Sequence, residues 1–273
     1  MQFKIISLDL DGTLLNDKKE ISRRNVDSII KFQKEGGFIV LTSSRKFRDI
    51  ESYARQLELY SSGRGFIISS AGLYLHNLKT GEVEKTETFN KESIKNVANS
   101  LLGAFTELAC ILVASDYDYI IYRKYSLFLR IKNLYFWLTR KNVRIIPLSA
   151  IEEINDSIEK IMIYTIDTER INQSLGKIPQ VYARTIDKNR TEILFYTVSK
   201  SNALQKLIEK LSISNNSVLV FGDDENDLDC FEKFENTVAM GNAIESIKAK
   251  SKYITKSNND DGISSFMEKD LIH

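Results

Sequence analysis

The sequence is poor in cysteine and histidine, the residues on which many reactive and metal-binding sites depend. Its 273 residues include two cysteines, Cys110 and Cys230, each inside an apolar stretch. So few thiols disfavour a disulfide framework or a cysteine-based zinc cluster and indicate a reducing compartment. The two histidines, His76 and His273, stand in unrelated parts of the chain. A histidine-based triad or zinc site is therefore not expected.

Net charge and long hydrophobic runs are also scarce. The chain has 38 Lys+Arg against 37 Asp+Glu, a net charge of +1, which gives no overall attraction to nucleic acid or to an anionic membrane. The most apolar window, residues 98–114, is shorter than a membrane span and contains Glu107. Residues 1–8 lack the pattern of a secretion signal. We therefore expect a cytoplasmic protein with no membrane partner.

What the sequence does contain is a globular composition and a repeated strand–helix pattern. Hydrophobic residues make up 42% and charged residues 27%, which excludes a disordered or fibrous chain. Apolar runs predict strands, and the amphipathic stretches between them predict helices. The first predicted elements are strands at 3–8, 38–41 and 66–68 and helices at 22–35 and 46–58. The alternation returns at 202–254, so we predict an α/β fold with a parallel sheet and helices on both faces.

The middle of the chain has a different pattern of predicted elements. Dividing the length by roughly 150 residues per domain gives about 1.8, which allows two modest domains. Longer strand-like segments, such as 117–122 and 158–166, mix with helical stretches there, and both prolines of the chain lie among them. We therefore predict a discontinuous core, residues 1–77 and 199–273, around an inserted α/β domain at 78–198.

Acidic residues follow two of the predicted strands. In open parallel sheets ligands bind beyond the carboxyl ends of the strands, so we expect Asp223 and Asp227 to come to the same edge as Asp9 and Asp11. While the backbone stays extended, Asp9 and Asp11 face the same side. Each pair of unit charges about 4 Å apart costs on the order of 4 kcal/mol at an effective dielectric constant of about 20. A hard cation would relieve this repulsion, and oxygen ligands suit Mg²⁺.

Hydroxyl and ammonium groups follow the other strand ends. Ser43 comes after the second strand, and Lys200 opens the helix after the insertion, so both can donate to a phosphate group beside the metal. One carboxylate free of the metal could be a nucleophile, and a second could act as acid and base. Gly12 permits a sharp exit from the first strand.

Four motifs make the sequence similar to a known family. They are Asp9-Leu10-Asp11-Gly12-Thr13-Leu14, Ser43-Ser44-Arg45, Ser199-Lys200 and Gly222-Asp223-Asp224-Glu225-Asn226-Asp227. With these motifs the chain resembles the haloacid dehalogenase-like hydrolases, and among them the Cof-like phosphatases, which carry a large cap after the third core strand. The resemblance implies a Rossmann-like parallel sheet core and an inserted α+β cap that selects the substrate.

The resemblance also implies a chemical role for each acidic residue. Asp9 would attack phosphorus to form an aspartyl-phosphate, and Asp11 would protonate the leaving oxygen and then activate water. Mg²⁺ would be held by Asp9, the carbonyl of Asp11 and Asp223. Asp227 would either orient Lys200 or reach the metal through water.

The remaining motif residues would hold the phosphoryl group. By the same resemblance, Ser43 and Lys200 would bind it, Asn226 would support it, and Gly12 would belong to the same phosphate-binding loop.

Three positions depart from the family's pattern. The second motif usually reads Thr-Gly-Arg, and here Ser44 replaces the glycine. Ala71 stands where asparagine is common, and Ser201 where glycine follows the lysine. None of the three removes a catalytic side chain, but Ser44 and Ala71 bear on the edge of the substrate site.

The expected function is a Mg²⁺-dependent phosphatase for small phosphorylated metabolites. Sugar phosphates are the first substrate class implied by the resemblance, and phosphorylated cofactors such as flavin or pyridoxal phosphates the second. The protein would be a monomer or a homodimer. Two alternatives stay open: a phosphomutase that uses the same aspartyl-phosphate, and a non-catalytic sensor of a phosphorylated ligand.

A nucleic-acid partner is a weaker alternative. Aromatic residues alternate with basic ones between positions 117 and 144, a mixture that can bind single strands. The same pattern fits core aromatics beside a solvated basic face. Because the net charge is near zero and no recognition motif is present, we favour that interpretation and expect no nucleic-acid partner.

Overall fold

The chain divides into two compact units. The first comprises Met1–Thr86 and Val198–His273, and the second Glu87–Thr197. The computed structural model describes residues 2–104, 110–114, 118–122, 143–155, 157–163, 167–176, 178, 180–187 and 190–270. Glu107, His273 and most of the basic, aromatic-rich stretch lie outside these ranges. Within them, no helix combines the length and apolar character needed to cross a membrane.

Strands and helices alternate through most of the described chain. The strands are β1 (Ile5–Asp9), β2 (Phe38–Thr42), β3 (Gly65–Ser69), β4 (Tyr74–Asn77), β5 (Val83–Lys85), β6 (Cys110–Ala114), β7 (Asp118–Tyr122), β8 (Val143–Pro147), β9 (Ile158–Ile163), β10 (Val181–Asp187), β11 (Arg190–Phe195), β12 (Val218–Gly222), β13 (Thr237–Ala239) and β14 (Tyr253–Ile254). The α-helices are α1 (Arg23–Lys34), α2 (Glu51–Gln56), α3 (Leu59–Ser62), α4 (Lys91–Ala104), α5 (Thr168–Leu175), α6 (Lys200–Lys210), α7 (Leu228–Lys233), α8 (Glu245–Lys250) and α9 (Gly262–Asp270). Short 3-10 helices lie at Phe47–Asp49, Ser70–Gly72, Leu148–Glu153, Asn215–Ser217, Glu225–Asp227 and Asn258–Asp260.

The first unit is built on an eight-stranded sheet with the order β14-β13-β12-β1-β2-β3-β4-β5. The strands from β14 to β3 are parallel, and β4 and β5 continue the sheet in antiparallel pairs. Every residue of β1, β3 and β12 is buried, as expected for strands covered on both faces. The predicted α/β fold is confirmed, and the carboxyl ends of β1, β2 and β12 meet at one edge.

Helix α1 shows how local sequence determines these elements. Ser22 caps its N-terminus by accepting from the backbone N–H of Asn25 at 3.2 Å, which satisfies one of the open donors of the first turn. Val26, Ile29 and Phe32 lie on one buried face, at the spacing of an amphipathic helix. The helix predicted at 22–35 is confirmed.

The inserted segment begins later than the sequence predicts. Residues 78–86, which we assigned to the insertion, belong to the first unit. The reason is that β5 pairs with β4, and β4 pairs with β3. This edge strand is three residues long and its Val83 is 52% exposed, so it carries almost none of the apolar signal that identified the central strands.

The second unit contains a six-stranded sheet with the order β10-β11-β9-β6-β7-β8. All its pairs are antiparallel except β7 with β8. Helix α5 packs on β10 and on α4, and Leu112, Ile161 and Ile193 are buried on one face of the sheet. The strand-like segments predicted at 117–122 and 158–166 correspond to β7 and β9.

A buried ion cluster joins three strands of the second sheet. Glu192 on β11 is 1% exposed and accepts from Lys160 Nζ at 2.9 Å and Arg184 Nε at 2.7 Å. Burial alone would raise the pKa of Glu192, but the two cations outweigh it and lower the pKa to about 2. The carboxylate is therefore ionised at neutral pH, as a paired buried charge must be.

Candidate active site

The candidate site lies at the carboxyl edge of the first sheet. Asp9 is the last residue of β1 and pairs in register with Thr42 of β2, while Gly222 ends β12 on the other side of β1. Asp223 follows Gly222 directly, and Asp227 ends the short 3-10 helix that comes next. Because these strands are parallel, their ends bring residues distant in sequence to one place.

Lys200 is the cation at the centre of this edge. It is 0% exposed, and its Nζ donates to Asp9 Oδ1 at 2.5 Å, Asp227 Oδ1 at 2.7 Å and Asn226 Oδ1 at 3.2 Å. The first turn of α6 presents it, since Ser199 caps that helix by accepting from the N–H of Asn202. Burial alone would lower the pKa of Lys200, but Asp227 and Asp9 together raise it. The ammonium therefore stays charged.

Three carboxylates gather around this single ammonium. Asp9, Asp223 and Asp227 each offer an oxygen, and these oxygens lie within 4.8 Å of one another. Thr13 Oγ1 donates to Asp223 Oδ1 at 2.6 Å, and Asp227 Oδ2 accepts from the N–H of Asp223 at 3.1 Å. A close set of carboxylate oxygens is the donor set that hard divalent cations prefer.

The electrostatics of the cluster favour a bound cation. Burial, followed by the charge of Asp227, raises the pKa of Asp9 in spite of Lys200. Burial also raises the pKa of Asp223 to about 7, against the hydrogen bond from Thr13. Both shifts arise because negative charge is concentrated in a buried place with too few positive groups. A cation at these oxygens would restore their ionised forms, so the residues present fit a divalent metal.

Asp11 does not place its side chain in this cluster. We expected it to share a face with Asp9 as long as the strand stayed extended, but β1 ends at Asp9 and the chain turns at Leu10. The carboxylate is instead 41% exposed and pairs with Arg45 and Lys19. Burial would raise the pKa of Asp11, but hydrogen bonds from these two cations lower it.

Ser43 and Ala71 occupy neighbouring loops at the same edge. Ser43 follows β2, is 3% exposed, and its Oγ accepts from the N–H of Arg45 at 3.1 Å. Its carbonyl accepts from the N–H of Ala71 at 3.0 Å. Ala71 has φ of +62°, a left-handed conformation that costs roughly 1–2 kcal/mol in a residue other than glycine. Ser44 has no such angle, so replacing glycine there introduces no strain.

Gly12 lies against Asp223. Its φ is +87°, and a Cβ placed on it would lie 2.1 Å from Asp223 Oδ2. Its carbonyl accepts from Asn242 Nδ2 at 2.8 Å. Glycine is therefore required at position 12 for two reasons, the backbone angle and the close approach of the carboxylate.

Sequence reasoning missed several residues that shape the site. Thr13 belongs to the first motif but received no role, although it donates to Asp223. Asn242, which donates to the carbonyl of Gly12, lies outside the four motifs. Arg45 likewise belongs to a motif and received no role, and no feature of the sequence singled out Lys19. Such contacts depend on how loops turn, and residue types at strand ends do not reveal this.

Comparison with known proteins agrees with the motifs. The profile of the haloacid dehalogenase-like hydrolases matches residues 6–267. Two relatives from Bacillus subtilis are 5-amino-6-(5-phospho-D-ribitylamino)uracil phosphatases. One is 27% identical, covering 97% of each chain, and the other is 24% identical, covering 97% of this chain and 96% of the relative.

The fold has a solved counterpart as well. The crystal structure of a haloacid dehalogenase-like hydrolase from Bacteroides thetaiotaomicron is 26% identical, with a TM-score of 0.75 over 98% of this chain and 99% of the other. The profile match spans both ends of the split core and the insertion between them. The relatives named as phosphatases support an enzyme of that class. The chain therefore belongs to the haloacid dehalogenase-like hydrolases, as its motifs predict.

Proposed function

We propose that this hydrolase is a Mg²⁺-dependent phosphatase of small phosphorylated metabolites. Sugar phosphates are the first substrate class that we propose, and phosphorylated cofactors the second. The observation that carries the proposal is the fully buried Lys200 between Asp9 and Asp227. A buried ammonium beside an aspartate at the end of a strand is suited to hold a phosphoryl group against that aspartate. The Bacillus subtilis relatives, named for a small phosphorylated compound, support the substrate class.

The metal would be held by the carboxylates of Asp9 and Asp223. The carbonyl of Asp11 would be a further ligand, and Asp227 would bind directly or through water. When bound, Mg²⁺ neutralises negative charge on the substrate phosphate and on these carboxylates. The raised pKa values of Asp9 and Asp223 support such a site.

The reaction that we propose has two displacements at phosphorus. A carboxylate oxygen of Asp9 attacks phosphorus, the bond to the substrate oxygen breaks, and the protonated form of Asp11 gives its proton to that oxygen. Water then attacks the phosphorus of the aspartyl-phosphate and gives its proton to Asp11. Asp9 leaves as a carboxylate, and inorganic phosphate is released.

Other residues of the edge would bind and orient the phosphoryl group. Lys200 already contacts Asp9, and Ser43, which follows the neighbouring strand β2, is buried. Asn226 contacts the ammonium of Lys200 and would support it, while Gly12 keeps the loop close to Asp223. The second unit, predicted at 78–198 and compact over Glu87–Thr197, would select the substrate.

A panel of phosphorylated metabolites tests this function. We expect release of inorganic phosphate from at least one sugar phosphate or phosphorylated cofactor with Mg²⁺, loss of that release in a chelator, and recovery when Mg²⁺ is restored. Turnover that a chelator leaves undiminished would contradict the metal site. An isomeric phosphate ester as the product would indicate the phosphomutase alternative instead.

Substituting Gly12 tests the close approach to Asp223. We expect Gly12→Ala to lower kcat for phosphate release by about a hundredfold, because the new Cβ displaces a carboxylate from its working position. Gly36→Ala is the matched control, since Gly36 also has a positive φ, +100°, but nothing lies within 4 Å of its Cβ position. Equal loss of activity in the two variants would assign the effect to backbone strain alone.

A further inference from the structure

The Asp11 carboxylate lies between two cationic side chains. Arg45 donates to it twice, from Nε to Oδ2 at 2.8 Å and from Nη2 to Oδ1 at 2.6 Å. Lys19 Nζ donates to Oδ1 at 2.6 Å. Arg45 follows β2 and Lys19 lies in the loop after β1, so the cations approach from separate loops. Both carboxylate oxygens therefore have a charged donor, and the plane of the carboxylate is fixed.

The loop after β1 is folded so that it presents Lys19. Asn16 Oδ1 accepts from the backbone N–H groups of Lys18 at 2.9 Å and Glu20 at 3.0 Å. The N–H of Lys19 itself donates to the carbonyl of Asn16 at 2.9 Å. Lys19 has φ of +62°, which residues other than glycine adopt only when their surroundings hold them there. The position of Lys19 is therefore built into the turn.

Tyr53 on α2 connects the two cations. Its hydroxyl donates to the carbonyl of Lys19 at 3.2 Å, and Cζ of Arg45 lies 5.9 Å from the centre of its ring. One tyrosine thus contacts both residues that hold Asp11. We call Lys19, Arg45 and Tyr53 the Asp11 clamp.

We propose that the Asp11 clamp positions the carboxylate of Asp11 for the step in which the aspartyl-phosphate is hydrolysed. The inference rests on the proposed function. In that step water attacks phosphorus, its proton passes to Asp11, and the bond between phosphorus and Asp9 breaks. Without these contacts a carboxylate that is 41% exposed would rotate freely. A general base accepts a proton efficiently only when it is held in the right place. Lys19 and Tyr53 are thus positioning residues.

Lys19→Met tests the clamp with p-nitrophenyl phosphate, whose leaving group departs without a proton. We expect kcat to fall about tenfold, because hydrolysis of the phosphoenzyme slows, while kcat/KM stays within about twofold, because it reports only the first displacement. KM should therefore fall in parallel with kcat. Rapid mixing should reveal a burst of about one nitrophenolate per enzyme, and Lys19→Arg should recover most of kcat.

Lys18→Met is the matched control. Lys18 is exposed in the same turn and contributes only its backbone N–H to the hydrogen bond with Asn16. The kcat of Lys18→Met should therefore equal that of the wild type. Tyr53→Phe tests the clamp from helix α2. It should also lower kcat and leave kcat/KM unchanged, with a smaller fall in kcat than in Lys19→Met. An unchanged kcat in Lys19→Met, or an equal fall in kcat and kcat/KM, would overturn the proposal. Wild-type turnover that does not depend on Asp9 would overturn the proposed function instead.

Discussion

Asp9→Asn should abolish phosphate release, with kcat lowered by about a thousandfold or more. The substitution keeps the size of the side chain and leaves an oxygen that can accept from Lys200, so the fold should persist. What it removes is the anionic oxygen that, in the proposed mechanism, attacks phosphorus, together with one carboxylate of the cluster within 4.8 Å. We expect a thermal unfolding midpoint close to that of the wild type, with no covalent phosphate in acid-quenched protein.

Glu225→Gln is the matched control for this loss. Glu225 is an exposed acid in the loop that carries Asp223 and Asp227, so its substitution removes one negative charge near the site without touching the cluster. We expect full activity in this variant. Mass spectrometry of the quenched wild-type protein should locate phosphate on the peptide that contains Asp9. Substantial turnover by Asp9→Asn, or phosphate on a different peptide, would contradict the mechanism.

The sequence predicts the position of most of this site because strand ends are predictable. Apolar runs identified β1, β2 and β12, and in a parallel sheet the residues after such strands must meet. Asp9, Asp223 and Lys200 therefore come together in the structure, although they lie far apart in the chain. The same logic fails two residues beyond the strand, at Asp11. The Asp11 carboxylate lies outside the cluster of Asp9, Asp223 and Asp227 because the chain turns at Leu10, and alternation applies only to extended backbone.

Weak hydrophobic signals account for the other differences between the predicted and the observed structure. Strand β5 lies at the edge of the sheet and is largely polar, so its membership of the core depends on pairing that periodicity does not reveal. Lys19 is an ordinary charged residue in a polar loop, and only the turn closed by Asn16 brings it to Asp11. Long-range pairing and loop conformation are thus the two kinds of information that the sequence pattern lacks.

Lys200→Met should be the most destabilising substitution in the candidate site. Methionine keeps a chain of similar length but removes the ammonium, which is 0% exposed and lies 2.5 Å from Asp9 and 2.7 Å from Asp227. Two buried carboxylates would then face each other without their cation. Removing one partner of a buried ion pair typically costs about 3–5 kcal/mol, and we expect the free energy of unfolding at pH 7 to fall by that amount.

Denaturant titrations in a chelator measure this loss without a metal to replace the lost charge. Lys206→Met is the control, since Lys206 is exposed on the same helix and its loss should cost less than about 0.5 kcal/mol. Adding Asp227→Asn to Lys200→Met removes one of the two unpaired carboxylates and should restore part of the stability, whereas in the wild type Asp227→Asn should be destabilising. If Lys200→Met is as stable as the wild type, or if Asp227→Asn costs the same in both backgrounds, Lys200 is not the counter-ion of these carboxylates.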